Sequence, residues 1–146
     1  MRKNNFAIIV SQFNEKITLG LLEGAKFFLS EKDIPPSCID VVQVPGAFEI
    51  PILAKNLALS KKYSGVIALG CVIKGETAHF EYISMGVTNG LMNVMLETGV
   101  PIGFGVITTY NAQQALDRSQ KDIHNKGVEA AQACFETVNT ISNLNE

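Results

Sequence analysis

The stretch Gly70-Cys71-Val72-Ile73-Lys74-Gly75-Glu76-Thr77 has the spacing of a phosphate loop, G-x-x-x-x-G-K-[ST], but puts Glu76 where that motif has lysine. A carboxylate there repels a triphosphate, so nucleotide triphosphate chemistry is not expected. A smaller anion is still compatible with the stretch. Backbone N–H groups and the dipole at a helix start favour a single phosphate. Gly75 lets the backbone come close to it, and Thr77 can cap the helix or bond a phosphate oxygen. Taken alone, Glu76-Thr77 is better explained as a plain helix cap.

His79 lies just beyond this loop. Imidazole is the side chain whose ordinary titration falls nearest neutrality, which suits it to moving protons. By itself it could also be a histidine packed on a neighbouring strand. Glu76 and His79 have the i, i+3 spacing of a metal pair, but no third ligand is evident and His124 is far away in sequence. No metal is expected. Pro45-Gly46-Ala47-Phe48-Glu49 is a turn leading into a helix, with a carboxylate able to accept from a polyol or an amine, or to complement the helix dipole. Phe13 could stack on a flat heterocycle or be ordinary core. Arg118 and Lys126 could hold a phosphate or be solvated charge.

These residues need elements to carry them. Phe6 to Phe13 reads as a buried strand. From Ile17 to Lys32 apolar residues recur at helical spacing, and Pro35-Pro36 ends that helix. Ile39 to Val44 reads as a second strand and Phe48 to Ser60 as a helix with Pro51 in its first turn. Gly65 to Ile73 is the most apolar run, as a central strand covered on both faces would be. A loop from Lys74 to Ala78 leads into a helix from His79 to Thr98. Ile102 to Thr108 is the fourth strand, followed by helices at Asn111 to Ser119 and Val128 to Ile141.

The alternation predicts an α/β fold: one domain over residues 1–146, with a four-stranded parallel sheet between two helical layers. Ligands of open parallel sheets bind beyond the carboxyl ends of the strands. That rule selects Phe13-Asn14, Pro45 to Glu49, Ile73 to His79 and Thr108 to Asn111.

Composition narrows the function. Charged residues are 18% of the chain, below the roughly 25% of an average soluble domain. Part of the surface is therefore expected to be covered by other copies. The net charge of −2, without a basic stripe, argues against nucleic acid. Three cysteines without a C-x-x-C pair fit reduced thiols in a cytoplasm. No run approaches the ~20 apolar residues of a membrane span, and the apolar run from Phe6 to Val10 is too short for a signal sequence.

Together the motifs resemble the lumazine synthase family. The resemblance rests on Phe13-Asn14, V-P-G-A-F-E-I-P from Val44 to Pro51, G-C-V-I-K-G-E-T-A-H-F-E-Y from Gly70 to Tyr82, and F-G-V-I-T-T from Phe104 to Thr109. It continues in A-L-D-R from Ala115 to Arg118 and N-K-G-V-E-A-A from Asn125 to Ala131. It implies a flavodoxin-like fold and a cofactor-free condensation. The substrates would be 5-amino-6-(D-ribitylamino)uracil and 3,4-dihydroxy-2-butanone 4-phosphate, and the product 6,7-dimethyl-8-ribityllumazine.

By position, the resemblance implies that Phe13 stacks on the uracil ring and that Ala47, Phe48 and Glu49 hold the ribityl side. Cys71, Val72 and Ile73 would line the ring pocket largely through backbone. Gly75, Glu76 and Thr77 would cradle the phosphate, and His79 would move protons. Phe104, Arg118 and Lys126 would come from the adjacent subunit of a homopentamer. Gln12, Cys71 and Lys74 stand where the family usually has arginine, threonine and arginine. The stretch Gln120 to His124 also departs from the pattern, which favours an isolated pentamer over a shell of twelve. A non-catalytic ligand-binding relative or a purely structural shell protein are the competing readings. Neither would need both His79 and Arg118.

Overall fold

The computed structural model describes residues 4–146. The first three residues of the N-terminal segment, read above as carrying no signal sequence, lie outside them. Strands β1 (Phe6–Ser11), β2 (Ile39–Val44), β3 (Gly65–Ile73) and β4 (Ile102–Thr109) form one parallel sheet in the order β2-β1-β3-β4. The helices are α1 (Glu15–Glu31), α2 (Ile50–Leu59), α3 (His79–Thr98), α4 (Ala112–Asp117) and α5 (Lys126–Leu144).

Side chains alternate across the sheet with the two-residue period of a strand. Phe6, Ile8 and Val10 of β1, with Ile67, Leu69 and Cys71 of β3, face α1 and α5, where Leu21, Ala25, Leu29, Ala131 and Cys134 complete one core. Ala7 and Ile9, with Val66, Ala68 and Val72, face α2 and α3 and pack on Ile50, Ala54, Val87, Leu91 and Val94. β3 is central, and its residues from Gly65 to Val72 are buried. This is the three-layer α/β/α arrangement expected from the alternation, in the flavodoxin-like form that the resemblance implies.

Close approach of α5 to the sheet and to α1 depends on missing side chains. A Cβ on Gly103 would strike the carbonyl of Ala130, and one on Gly127 the carbonyl of Leu21. Both positions bring backbone against backbone.

Several boundaries differ from the sequence reading. β1 ends at Ser11, two residues early, because Asn14 takes a left-handed conformation at φ 60° and turns the chain. Asparagine tolerates that region better than most residues. Phe13 is consequently 71% exposed and not ordinary core. Phe48 lies in a 3₁₀ turn, Ala47–Glu49, ahead of α2. α5 starts at Lys126 and not Val128, because Asn125 Oδ1 accepts from the N–H groups of Gly127 at 2.8 Å and Val128 at 3.2 Å. That is an N-cap in the ordinary sense.

Candidate active site

The chain leaves β1 for β2 on one side and returns to place β3 on the other. The loops after β1 and β3 therefore part at the carboxyl edge, and such a divergence opens a crevice. Four contacts brace it. Beyond the end of β1, the N–H groups of Gln12 and Phe13 donate to the carbonyls of Val44 at 2.8 Å and Pro45 at 3.0 Å. Asn14 Nδ2 donates to the carbonyl of Cys71 at 3.1 Å. Lys74 N–H donates to the carbonyl of Thr109 at 2.8 Å, tying the end of β3 to that of β4.

Phe13 and Phe48 stand out from this edge, 71% and 59% exposed. A methyl group at Gly86 would lie 3.2 Å from Phe48 Cε1, so Gly86 of α3 leaves the room that ring occupies. Ala47 is buried beneath. Glu49 Oε1 accepts from the N–H of Gly46 at 3.0 Å and holds the turn shut. A carboxylate has two oxygens with which to accept, so the turn-closing role and a ligand-binding role coexist.

Cys71, Val72 and Ile73 pair with Ile107, Thr108 and Thr109 of β4. Cys71 and Val72 point into opposite cores. Burial pushes the Cys71 thiol up to about 11. A thiol held neutral in this way is no nucleophile near pH 7.

Gly75, Glu76, Thr77 and His79 are exposed. A Cβ on Gly75 would meet nothing within 4 Å, so the fold itself does not demand glycine there. Thr77 Oγ1 lies 3.4 Å from the N–H of His79 and accepts from it, capping α3 weakly. Ala78 is the N-cap residue and offers no side-chain bond. Among the described residues, no group of three or more His, Cys, Asp or Glu side chains gathers as a metal site requires.

The remaining candidates lie elsewhere. Phe104 pairs with Ala68. Five rungs separate it from Thr109, or roughly 16 Å at the usual rise of a parallel strand. It is 49% exposed. Arg118 and Lys126 line a separate cavity of about 670 Å³ with Asp117, Asp122, His124 and Glu129, and none of the strand-edge residues borders it. Arg118 Nη1 donates to the Gln114 carbonyl at 3.0 Å, and Lys126 Nζ pairs with Glu129 at 2.7 Å. One chain thus has two sets of candidates. Phe13, Ala47 to Glu49, Cys71 to Thr77 and His79 share the strand edge, while Phe104 lies five rungs down β4 and Arg118 and Lys126 line the separate cavity.

Residues 3–142 match the family described as 6,7-dimethyl-8-ribityllumazine synthase. The chain belongs to the 6,7-dimethyl-8-ribityllumazine synthase family. It is 51% identical over 140 residues to 6,7-dimethyl-8-ribityllumazine synthase 1 of Caulobacter vibrioides, covering 96% of this chain and 92% of that protein. With the 6,7-dimethyl-8-ribityllumazine synthase of Nitratidesulfovibrio vulgaris it shares 45% identity over 139 residues, 95% of this chain and 89% of that one. The lumazine synthase match spans every strand and both sets of candidate residues.

Sequence reasoning gave no role to Asn14, Gly86 or the Lys74 side chain. Gly86 had a signal. With Gly90 it places two glycines inside α3, a cost of about 1 kcal/mol each that packing must offset. Gly90 makes the same room for Pro51 as Gly86 does for Phe48.

Proposed function

We propose that the strand-edge crevice is where this lumazine synthase works. The enzyme condenses 5-amino-6-(D-ribitylamino)uracil with 3,4-dihydroxy-2-butanone 4-phosphate to 6,7-dimethyl-8-ribityllumazine, the penultimate step of riboflavin biosynthesis. The observation that carries the proposal is the convergence of two exposed aromatic rings, an open helix-start loop and one imidazole on a single sheet edge. Phe13 offers a face for the pyrimidine. Ala47, Phe48 and Glu49 receive the ribityl chain. The backbone at Cys71, Val72 and Ile73 borders the ring, and Gly75, Glu76 and Thr77 cradle the phosphate.

His79 then moves protons while the imine forms and phosphate departs. Much of the acceleration comes from holding two reactants together. No metal or organic cofactor takes part in this reading. Mixing the purified protein with both substrates and following lumazine absorbance tests it. Product that vanishes in His79→Ala supports the assignment; equal turnover in that variant removes His79.

In the same reading the active form is a cytoplasmic homopentamer, with Phe104, Arg118 and Lys126 reaching a neighbour's crevice and Arg118 clamping the phosphate. The place of Phe104 down β4 and the separate cavity lined by Arg118 and Lys126 support a shared site. So does α3, where Tyr82, Met85, Met92 and Leu96 are exposed and, with Asn89, recur at the 3-4-3-4 spacing of a helix-packing seam. The three unpaired thiols accord with a reducing compartment.

A further inference from the structure

We propose that Lys74 is a positioning residue for the phosphate half of the reaction, acting as a brace across the anion loop and not as a ligand of the anion. The inference rests on the assignment of that loop to the phosphate.

Lys74 immediately follows β3, and its backbone N–H is fixed to the carbonyl of Thr109. Its side chain reaches two other elements. Nζ pairs with Glu81 Oε1 in the first turn of α3 at 3.7 Å. The same ammonium lies 5.7 Å from the ring centroid of Tyr110, just past β4. Tyr110 in turn rests on Phe80, with ring centroids 6.3 Å apart. The residues between Lys74 and His79 are the loop itself. Lys74 therefore ties the loop's entry to the helix turn at its exit and to the neighbouring strand end.

Each contact is weak alone, since a half-exposed ion pair and an exposed cation–π pair are both screened by water. Their placement gives them effect. A loop already held in its binding shape loses less conformational freedom when it closes on a ligand. Such a loss is felt equally in the bound substrate and the transition state, so it moves KM and leaves kcat little changed.

A direct electrostatic role would behave differently. If Lys74 attracted the phosphate by its charge, removing Glu81 would release that charge and strengthen binding. A brace predicts the opposite sign.

The test is steady-state kinetics of the intact enzyme with Lys74→Met, Lys74→Arg, Glu81→Gln, the double variant Lys74→Met/Glu81→Gln, and Thr77→Val. Lys74→Met and Glu81→Gln should each raise KM for the four-carbon phosphate by up to roughly fivefold, the ceiling for an exposed pair. KM for the pyrimidine should stay unchanged, and Lys74→Arg should keep most of the wild-type value. The double variant should be no worse than Lys74→Met, since that change already removes the partner of Glu81. A lowered KM in Glu81→Gln, or additive losses in the double variant, overturns the brace. Thr77→Val separates the two levels. If it raises KM for the phosphate while Lys74→Met does not, the brace alone fails; if neither does, the loop is not the phosphate site and both readings fail.

Discussion

The side-chain amide of Asn14 donates to the carbonyl of Cys71 across 3.1 Å, joining residues 57 positions apart. The bond ties the turn that presents Phe13 to the strand that leads into the proposed anion loop, so the surfaces proposed for the two substrates share one link. Asn14 also holds a φ of 60°. Asn14→Gly keeps that backbone accessible, deletes the bond and adds the conformational entropy of an unfolded glycine. Asn14→Ala deletes the bond and adds about 1–2 kcal/mol of left-handed strain. Thermal melts should rank wild type above Asn14→Gly and that above Asn14→Ala. Equal melting of the two variants would mean that left-handed strain in the alanine variant is no larger than the entropic cost of glycine.

Gly75→Ala separates folding from function. Its Cβ would meet nothing in the protein, and its φ is not in the left-handed region. The melting temperature should therefore stay the same or rise slightly. The added methyl would occupy the space proposed for the phosphate, so KM for the phosphorylated substrate should rise severalfold. An unaltered KM would move the anion off this loop.

His79→Gln should lower kcat by roughly 10²-fold or more, the usual contribution of a positioned proton carrier. Binding of a ribityl-pyrimidine analogue, followed by calorimetry, should change little. If affinity collapsed along with turnover, the imidazole would be a binding group and not a proton carrier.

Mixing tests the shared site. His79→Ala and Arg118→Ala are each inactive or nearly so on the proposed scheme. If Arg118 serves a neighbour, subunits unfolded together in equal amounts and reassembled should regain activity. Random placement around a ring joined head to tail leaves about a quarter of the sites with both groups intact. Recovery of nothing above the separate variants would assign Arg118 to its own chain's chemistry.

Alkaline stability follows from the buried thiols. Burial lifts Cys71 from the ordinary 9.0 to about 11 and Cys134 to about 12. Below pH 9 both are protonated whether the chain is folded or not, and they contribute no slope. Above it the unfolded chain gives up those protons first, so the folded state binds more and stability falls as pH rises. Melting temperatures should decline between pH 9 and 12, with a shallower decline in Cys134→Ala. At pH 8 a thiol reagent should modify half-buried Cys38 ahead of the other two.

Most of the fold was legible because each layer leaves its own period in the chain. β3 is apolar throughout since both faces are covered, and α1 shows a stripe since one face is. The four candidate loops followed from the parallel topology alone. What was hidden depends on contacts distant in sequence. Phe13 has the composition of core, and only the turn at Asn14 sends it outward. α3 is apolar on its outer side as well as its inner one, so periodicity does not distinguish the face on the sheet from the exposed seam. The start of α5 was misread by two residues because Val128 looked like the first periodic position, while the cap is Asn125. The strand order β2-β1-β3-β4 leaves no mark in any local pattern.

That α5 closes one face of β1 and β3 has a consequence for synthesis. The strands that meet α5 are made before their cover is. A chain growing on a ribosome at about 5–20 residues per second would carry Phe6, Ile8, Ile67 and Leu69 without Ala131 and Cys134 against them for several seconds. The crevice residues through His79 would all be present in that interval, yet the sheet holding them would still lack one wall. Productive folding therefore awaits the emergence of α5, and truncation within it should yield aggregated protein, not a smaller working enzyme.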